Sequence, residues 1–155
     1  KYDNSGVRRQ DRLLDRGRAE ELLEQSEYGF LALGGESGYG VPLNFAYDGG
    51  RIYFHCAPEG EKLSRIAECP AAGFVVVGHT HPVPEKFTTE YESVMASGNI
   101  SVVADDDERR RALELIVAKY SPGLEDVGRK YAEHYFGRTA VLRLDAERIS
   151  GKCKK

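Results

Sequence analysis

GYGVPLNFAYDGGRIYFHCA, residues 38–57, sets strand-like runs on either side of Asp48-Gly49-Gly50. Glycine supplies the positive φ that primed turns require, so the segment reads as an antiparallel hairpin. A shorter apolar run, FLALGG at 30–35, precedes it behind its own glycine turn. Downstream come β-branched GFVVVGHTH (73–81) and KFTTEYESVMASGNISVVAD (86–105), the latter long enough for a bent or two-part strand, and a closing run TAVLRLDAERISG (139–151). Consecutive strands joined by tight turns pair as hairpins rather than as βαβ crossovers. The pattern therefore predicts a mostly β fold, an antiparallel barrel with peripheral helices.

The helices declare themselves by period and punctuation. From Asp15 to Glu27, residues Ala19, Leu22, Leu23 and Ser26 share one face, with Asp15 as N-cap and Gly29 as stop. PEGEKLSRIAECP (58–70) puts Leu63, Ile66 and Ala67 on one side and closes at Pro70. Asp105, Asp106 and Asp107 suit the start of a helix carrying Leu113, Ile116, Val117 and Tyr120 and ending near Pro122-Gly123. A further short helix is expected over LEDVGRKYAEHYF (124–136). Tyr47, Tyr53, Phe54 and Phe74 are expected to build the core and barrel wall.

A chain of 155 residues with 41% hydrophobic and 30% charged side chains suits a single domain, residues 1–155, with about the first ten residues and the last few as tails. The net charge of -3 argues against a nucleic-acid partner. Only the ends are basic, at Arg8, Arg9 and Arg12 and at Lys152, Lys154 and Lys155, and such short stretches read as solvated. Cys56, Cys69 and Cys153 match neither zinc-ligand nor disulfide spacing, which points to a reducing, cytoplasmic setting. No run has the length of a membrane span, and the polar start lacks a signal-peptide segment, so no membrane partner is expected.

Chemistry concentrates in IYFHCAPEGEKLSRI (52–66), where a strand gives way to a helix with Lys62 in its first turn. Free amides at a helix start beside an ammonium form a phosphate cradle. Read with YGFLAL (28–33), VPLNFAYDGGRIYFHCAPEGEK (41–62), YESVMASGNI (91–100) and VLRLDAERISGK (141–152), the chain resembles the pyridoxamine 5'-phosphate oxidase-like flavoproteins, and most of all their nitroimidazole-resistance branch.

That resemblance implies a split β-barrel of the FMN-binding type and a homodimer holding FMN across its interface. It implies that Phe30, Leu31 and Ala32, with Pro42, Leu43 and Asn44, line the flavin, Asn44 offering both a donor and an acceptor. His55, Cys56 and Ala57 would lie beside the ribityl chain and Lys62 on the phosphate, while Ser93, Val94 and Ser97 approach from the partner or else form an ordinary strand face. The oxidase pattern has a basic residue before this lysine, whereas the chain has Glu61; the departure predicts weaker phosphate binding or a different ligand, unless Arg65 compensates.

His55 is the one candidate for acid–base work, against a structural role. His79 and His81 share a strand face, but no Cys or carboxylate motif completes a metal site, and none is expected. No Gly-rich dinucleotide fingerprint appears, so a nicotinamide donor, NAD(P)H, would visit only transiently. The expected function is an FMN-dependent oxidoreductase that passes reducing equivalents to a small acceptor such as a nitroaromatic compound. A non-catalytic flavin- or haem-binding or redox-sensing protein is the alternative.

Overall fold

The computed structural model describes residues 1–155. Its elements in chain order are α1 (Arg16–Gln25), β1 (Gly29–Leu33), β2 (Tyr39–Leu43), β3 (Ala46–Asp48), β4 (Arg51–Cys56), α2 (Glu61–Glu68), β5 (Ala71–Val83), β6 (Thr88–Val102), α3 (Asp106–Tyr120), α4 (Glu125–His134) and β7 (Ala140–Lys154). Asp15 and Asp105 cap α1 and α3 by accepting from the amides of Arg18 and Glu108 at 3.2 and 2.9 Å. Ala19, Leu22 and Leu23 form the buried stripe of α1, as their spacing predicts. On α2 only Ile66 is fully buried and Ala67 is exposed, because this eight-residue helix touches the barrel along a narrow strip.

All strand pairs are antiparallel, in the order β2-β1-β5-β6-β7-β4-β3. Phe74 on β5 and Phe54 on β4 lie three strands apart along this sheet, yet their ring centroids are 5.2 Å apart, and Phe45 stands 4.8 Å from Phe74. The sheet therefore curls round its own interior, where 19 buried residues form the main core. The two ends of the order, β2 and β3, are joined by Asn44 and Phe45 alone. The barrel is split there.

The hairpin at Asp48-Gly49-Gly50 forms as expected, with Asp48 opposite Arg51 and both glycines at positive φ, 56° and 94°. GYGVPLNFAYDGG, however, is two strands rather than one run, because β2 leaves to pair with β1 while β3 stays with β4. β6 is continuous but shifts register against β7 at Ser97/Gly98. A Cβ on Gly98 would lie 1.9 Å from the Asp145 carbonyl oxygen, so this bulge requires glycine.

Both ends are built into the fold, contrary to the reading as tails. β7 runs to Lys154, and Tyr2 and Leu13 bridge to Ile149 and Lys152. The Asn4 side chain accepts from the Gly151 amide at 3.0 Å. Pairing with a strand satisfies backbone groups that solvated tails would leave to water. Arg18 grips Glu92 through two bonds of 2.7 and 3.0 Å, tying α1 to β6, and Arg143 on β7 holds Glu108 of α3 at 2.8 Å. Cys56, Cys69 and Cys153 are free thiols, and no helix is long and apolar enough to cross a membrane.

Candidate functional site

Strand alternation divides the sequence-predicted residues between two faces. Phe30, Ala32, Pro42, Ser93 and Ser97 point outward, whereas Leu31 and Val94 are fully buried in the core and can meet a ligand only through their backbones. Leu43 and Cys56 are partly buried against that same core. Register aligns Pro42, Phe30, Val75, Met95 and Ser150 in one row across five strands, and Gly40, Ala32, Gly73, Ser97 and Arg148 in the next. Phe30 is 46% and Met95 59% exposed, so the outer face carries an apolar stripe open to solvent.

Asn44 sits at the split. The β3–β4 ladder ends at Ala46 opposite Tyr53, two residues short of Asn44 and His55. It stops there because α3 takes over the backbone of Phe45. The Tyr120 hydroxyl accepts from the Phe45 amide at 3.0 Å and donates to the Glu27 carbonyl at 2.6 Å, and Lys119 Nζ donates to the Phe45 carbonyl at 3.0 Å. The Asn44 side chain is exposed and hydrogen-bonds to nothing, so both of its polar atoms remain available.

His55 points outward toward the α3–α4 hairpin and joins Val117, Leu124, Tyr131 and Tyr135 in lining a cavity of about 360 Å³. Its edge reaches solvent, but crowding by this apolar wall lowers its pKa and favours the neutral ring. A cavity of about 460 Å³ on α3 and α4 involves none of the predicted residues, and ion pairs such as Arg110–Glu133 at 3.1 Å line it.

Ala57 is exposed just beyond β4, and Lys62 is half-buried in the first turn of α2. Burial raises the Cys56 thiol's pKa while the Lys62 charge pulls it down, which places the ammonium near this strand end. Arg65 does not stand in as a second phosphate cation. It binds Glu61 at 3.1 Å and the Ser37 carbonyl and hydroxyl at 2.6 and 2.9 Å, and it lies over the Tyr39 ring. His79 and His81 have ring centroids 6.5 Å apart, with His81 turned to Glu90 at 2.9 Å, and no three metal-ligating side chains gather anywhere.

Sequence reasoning missed Lys119. Packed over the Phe45 ring with no carboxylate partner, its ammonium is desolvated and its pKa falls to about 8. The unfolded chain keeps that proton to about pH 10.4. Between these values the unfolded state binds more protons, so stability rises with pH through the window, and below pH 8 the folded state bears the full cost of the buried charge. Wild type should therefore gain on the order of 1 kcal/mol over Lys119→Met between pH 7.5 and 9.5. Urea unfolding of both proteins at the two pH values measures it, and parallel pH profiles would refute it.

The model of the pyridoxamine 5'-phosphate oxidase family matches residues 15–153. No curated protein matches the chain. Among solved structures, a candidate 5-nitroimidazole antibiotic resistance protein from Bacteroides thetaiotaomicron is 22% identical with a TM-score of 0.74, over 92% of this chain and 86% of that one. An FAD-binding protein from Mesorhizobium loti is 20% identical with a TM-score of 0.68, over 93% and 98%. An FAD- and haem-binding protein from Mycobacterium smegmatis is 21% identical with a TM-score of 0.74, over 91% and 72%. At these identities the structural likeness speaks for the split-barrel fold. The family match, which extends from the cap of α1 almost to the end of β7, adds descent to fold: the chain belongs to the pyridoxamine 5'-phosphate oxidase family.

Proposed function

We propose that the protein is an FMN-dependent oxidoreductase of the cytoplasm, working as a homodimer that passes reducing equivalents from a nicotinamide donor to a small acceptor such as a nitroaromatic compound. The observation that carries this reading is the exposed apolar stripe through Pro42, Phe30 and Met95, with Asn44 and its unengaged amide beside it. The stripe supplies a flat surface on which an aromatic ring system can rest. When bound, the flavin supplies the redox chemistry.

The chain's own residues then have distinct tasks. Asn44 donates to or accepts from a polar ring edge, and Lys62, with the amides opening α2, holds the phosphate. A neutral His55 can accept one proton at its free imidazole nitrogen from a molecule in the adjoining cavity, or donate a hydrogen bond to it from the other nitrogen. Tyr131 and Tyr135 offer aromatic faces there, which suits a planar acceptor. Lys119 and Tyr120 position Asn44 indirectly by fixing Phe45.

The visible absorption spectrum of the purified protein tests the proposal. Flavin bands that bleach on adding reduced nicotinamide, and return with a nitroaromatic acceptor, are the expected result. A Soret band, or flavin bands that never bleach, would turn the reading toward a haem carrier or a flavin store.

A further inference from the structure

The two basic ends of the sequence, read separately as solvated, meet on the outer sheet face. Bridges from Tyr2 to Ile149 and from Leu13 to Lys152 bring the amino-terminal segment against β7. The result is a cavity of about 440 Å³ whose lining includes Arg8, Arg148 and Lys152. Hydroxyls of Ser93, Ser97 and Ser150 join them, over a floor that includes Ala32, Gly73 and Met95.

In a chain with a net charge of -3, this cavity is lined by three cations and no carboxylate. None of the three enters an ion pair, although most other arginines near the surface do. Arg148 spends only its Nε, donating to the Asp3 carbonyl at 3.2 Å. Asp3 lies close enough for Arg148 to help lower its pKa, but its carboxylate is taken by the Ser5 amide at 2.9 Å. Lys152 faces Ser93 across the β6–β7 ladder, with its ammonium 5.8 Å from the Tyr91 ring centre. Unpaired cations held together by the fold attract an anion of matching charge.

The floor is continuous with the apolar stripe. The row from Phe30 through Val75 and Met95 to Ser150 crosses three strand spacings, about 14 Å. A ligand following it would be flat and apolar at one end and would carry more than one negative charge at the other. We propose that Arg8, Arg148 and Lys152 bind the pyrophosphate of an adenine dinucleotide, at a site separate from Lys62. The proposal rests on the reading that a flavin occupies the Phe30–Pro42 end of this face. The dinucleotide is the nicotinamide donor, because an adenylated flavin would need its flavin-side phosphate both here and at Lys62.

Calorimetric titration with ADP-ribose, which presents the donor's ADP group alone, is the test. Wild type should bind it, and Lys152→Met should weaken binding about tenfold, as expected for one charge-assisted contact. Arg148→Gln should do likewise, but Arg148 also holds the Asp3 carbonyl, so Lys152, which has no such bond, carries the test. Riboflavin affinity should stay within about twofold in Lys152→Met, because riboflavin lacks any phosphate for that contact to hold. No ADP-ribose binding, or equal binding by wild type and variant, overturns the proposal while leaving the flavin reading intact if riboflavin still binds. ADP-ribose binding that depends on Lys152 in a protein that refuses riboflavin upholds the anion site and overturns the flavin reading. If the FMN-loaded protein binds NADPH in a Lys152-dependent way, the source is the donor. If it does not, and the apoprotein prefers FAD to FMN only while Lys152 is present, the flavin's own phosphate lies here, which overturns a donor site separate from Lys62.

Discussion

Lys62→Met is expected to lower affinity for FMN by roughly ten- to a hundredfold while leaving riboflavin affinity within about twofold. Helix α2 begins after Gly60, which turns the chain at φ 133°, and no side chain caps its first amides. The neighbouring carboxylate of Glu61 is bound by Arg65 at 3.1 Å, which offsets its negative charge beside the site. A charge-assisted bond to phosphate contributes about 1.5 to 3 kcal/mol. Methionine keeps the apolar stem and the helix propensity, so the fold should survive the loss of charge. Riboflavin lacks the phosphate and serves as the internal control. Titrating both ligands into both proteins by flavin fluorescence separates the outcomes, and an equal loss for FMN and riboflavin, or none for either, would show that the phosphate is held elsewhere.

What the sequence makes legible is what short-range physics controls. The caps at Asp15 and Asp105, the buried face of α1 and the turn at Asp48-Gly49-Gly50 all rest on neighbours within a few residues, and all form as expected. The break between β2 and β3 has no such local signal. Nothing in LNFAY forbids a continuous strand, and the group that claims the Phe45 amide, the Tyr120 hydroxyl, lies 75 residues along the chain. The packing of the two ends depends on contacts such as Asn4 with Gly151, 147 residues apart. Lys119 follows the same rule, for a lysine near a helix end looks solvated until Phe45 arrives beneath it. Strand alternation sends the side chains of Leu31 and Val94 inward, so a ligand on the outer face would meet these two residues through their backbones.

Met95→Lys is expected to convert a dimer into a 17.2 kDa monomer at micromolar concentration, with the dimer dissociation constant rising about a thousandfold. Met95 is 59% exposed, Phe30 46% and Val77 49%, and all three lie on the outer face of the central strands. An apolar row of this kind marks a surface that is covered in the working protein. A twofold dimer counts each substitution twice, since the same patch faces its own copy. Two ammonium groups desolvated beside Arg148 and Lys152, in a cavity lined by no carboxylate, at about 2 kcal/mol each give the thousandfold figure. The side chain points away from the core, so the thermal midpoint of the monomer should move little, and Met95→Leu should remain dimeric. Flavin affinity should fall together with dimerisation, because the proposed site needs Ser93 and Ser97 from the second copy. Sedimentation equilibrium with flavin absorbance as a second trace records both quantities at once. A wild-type monomer that binds flavin at full strength would remove the second copy from the site, and a Met95→Lys protein that stays dimeric would move the interface to another face.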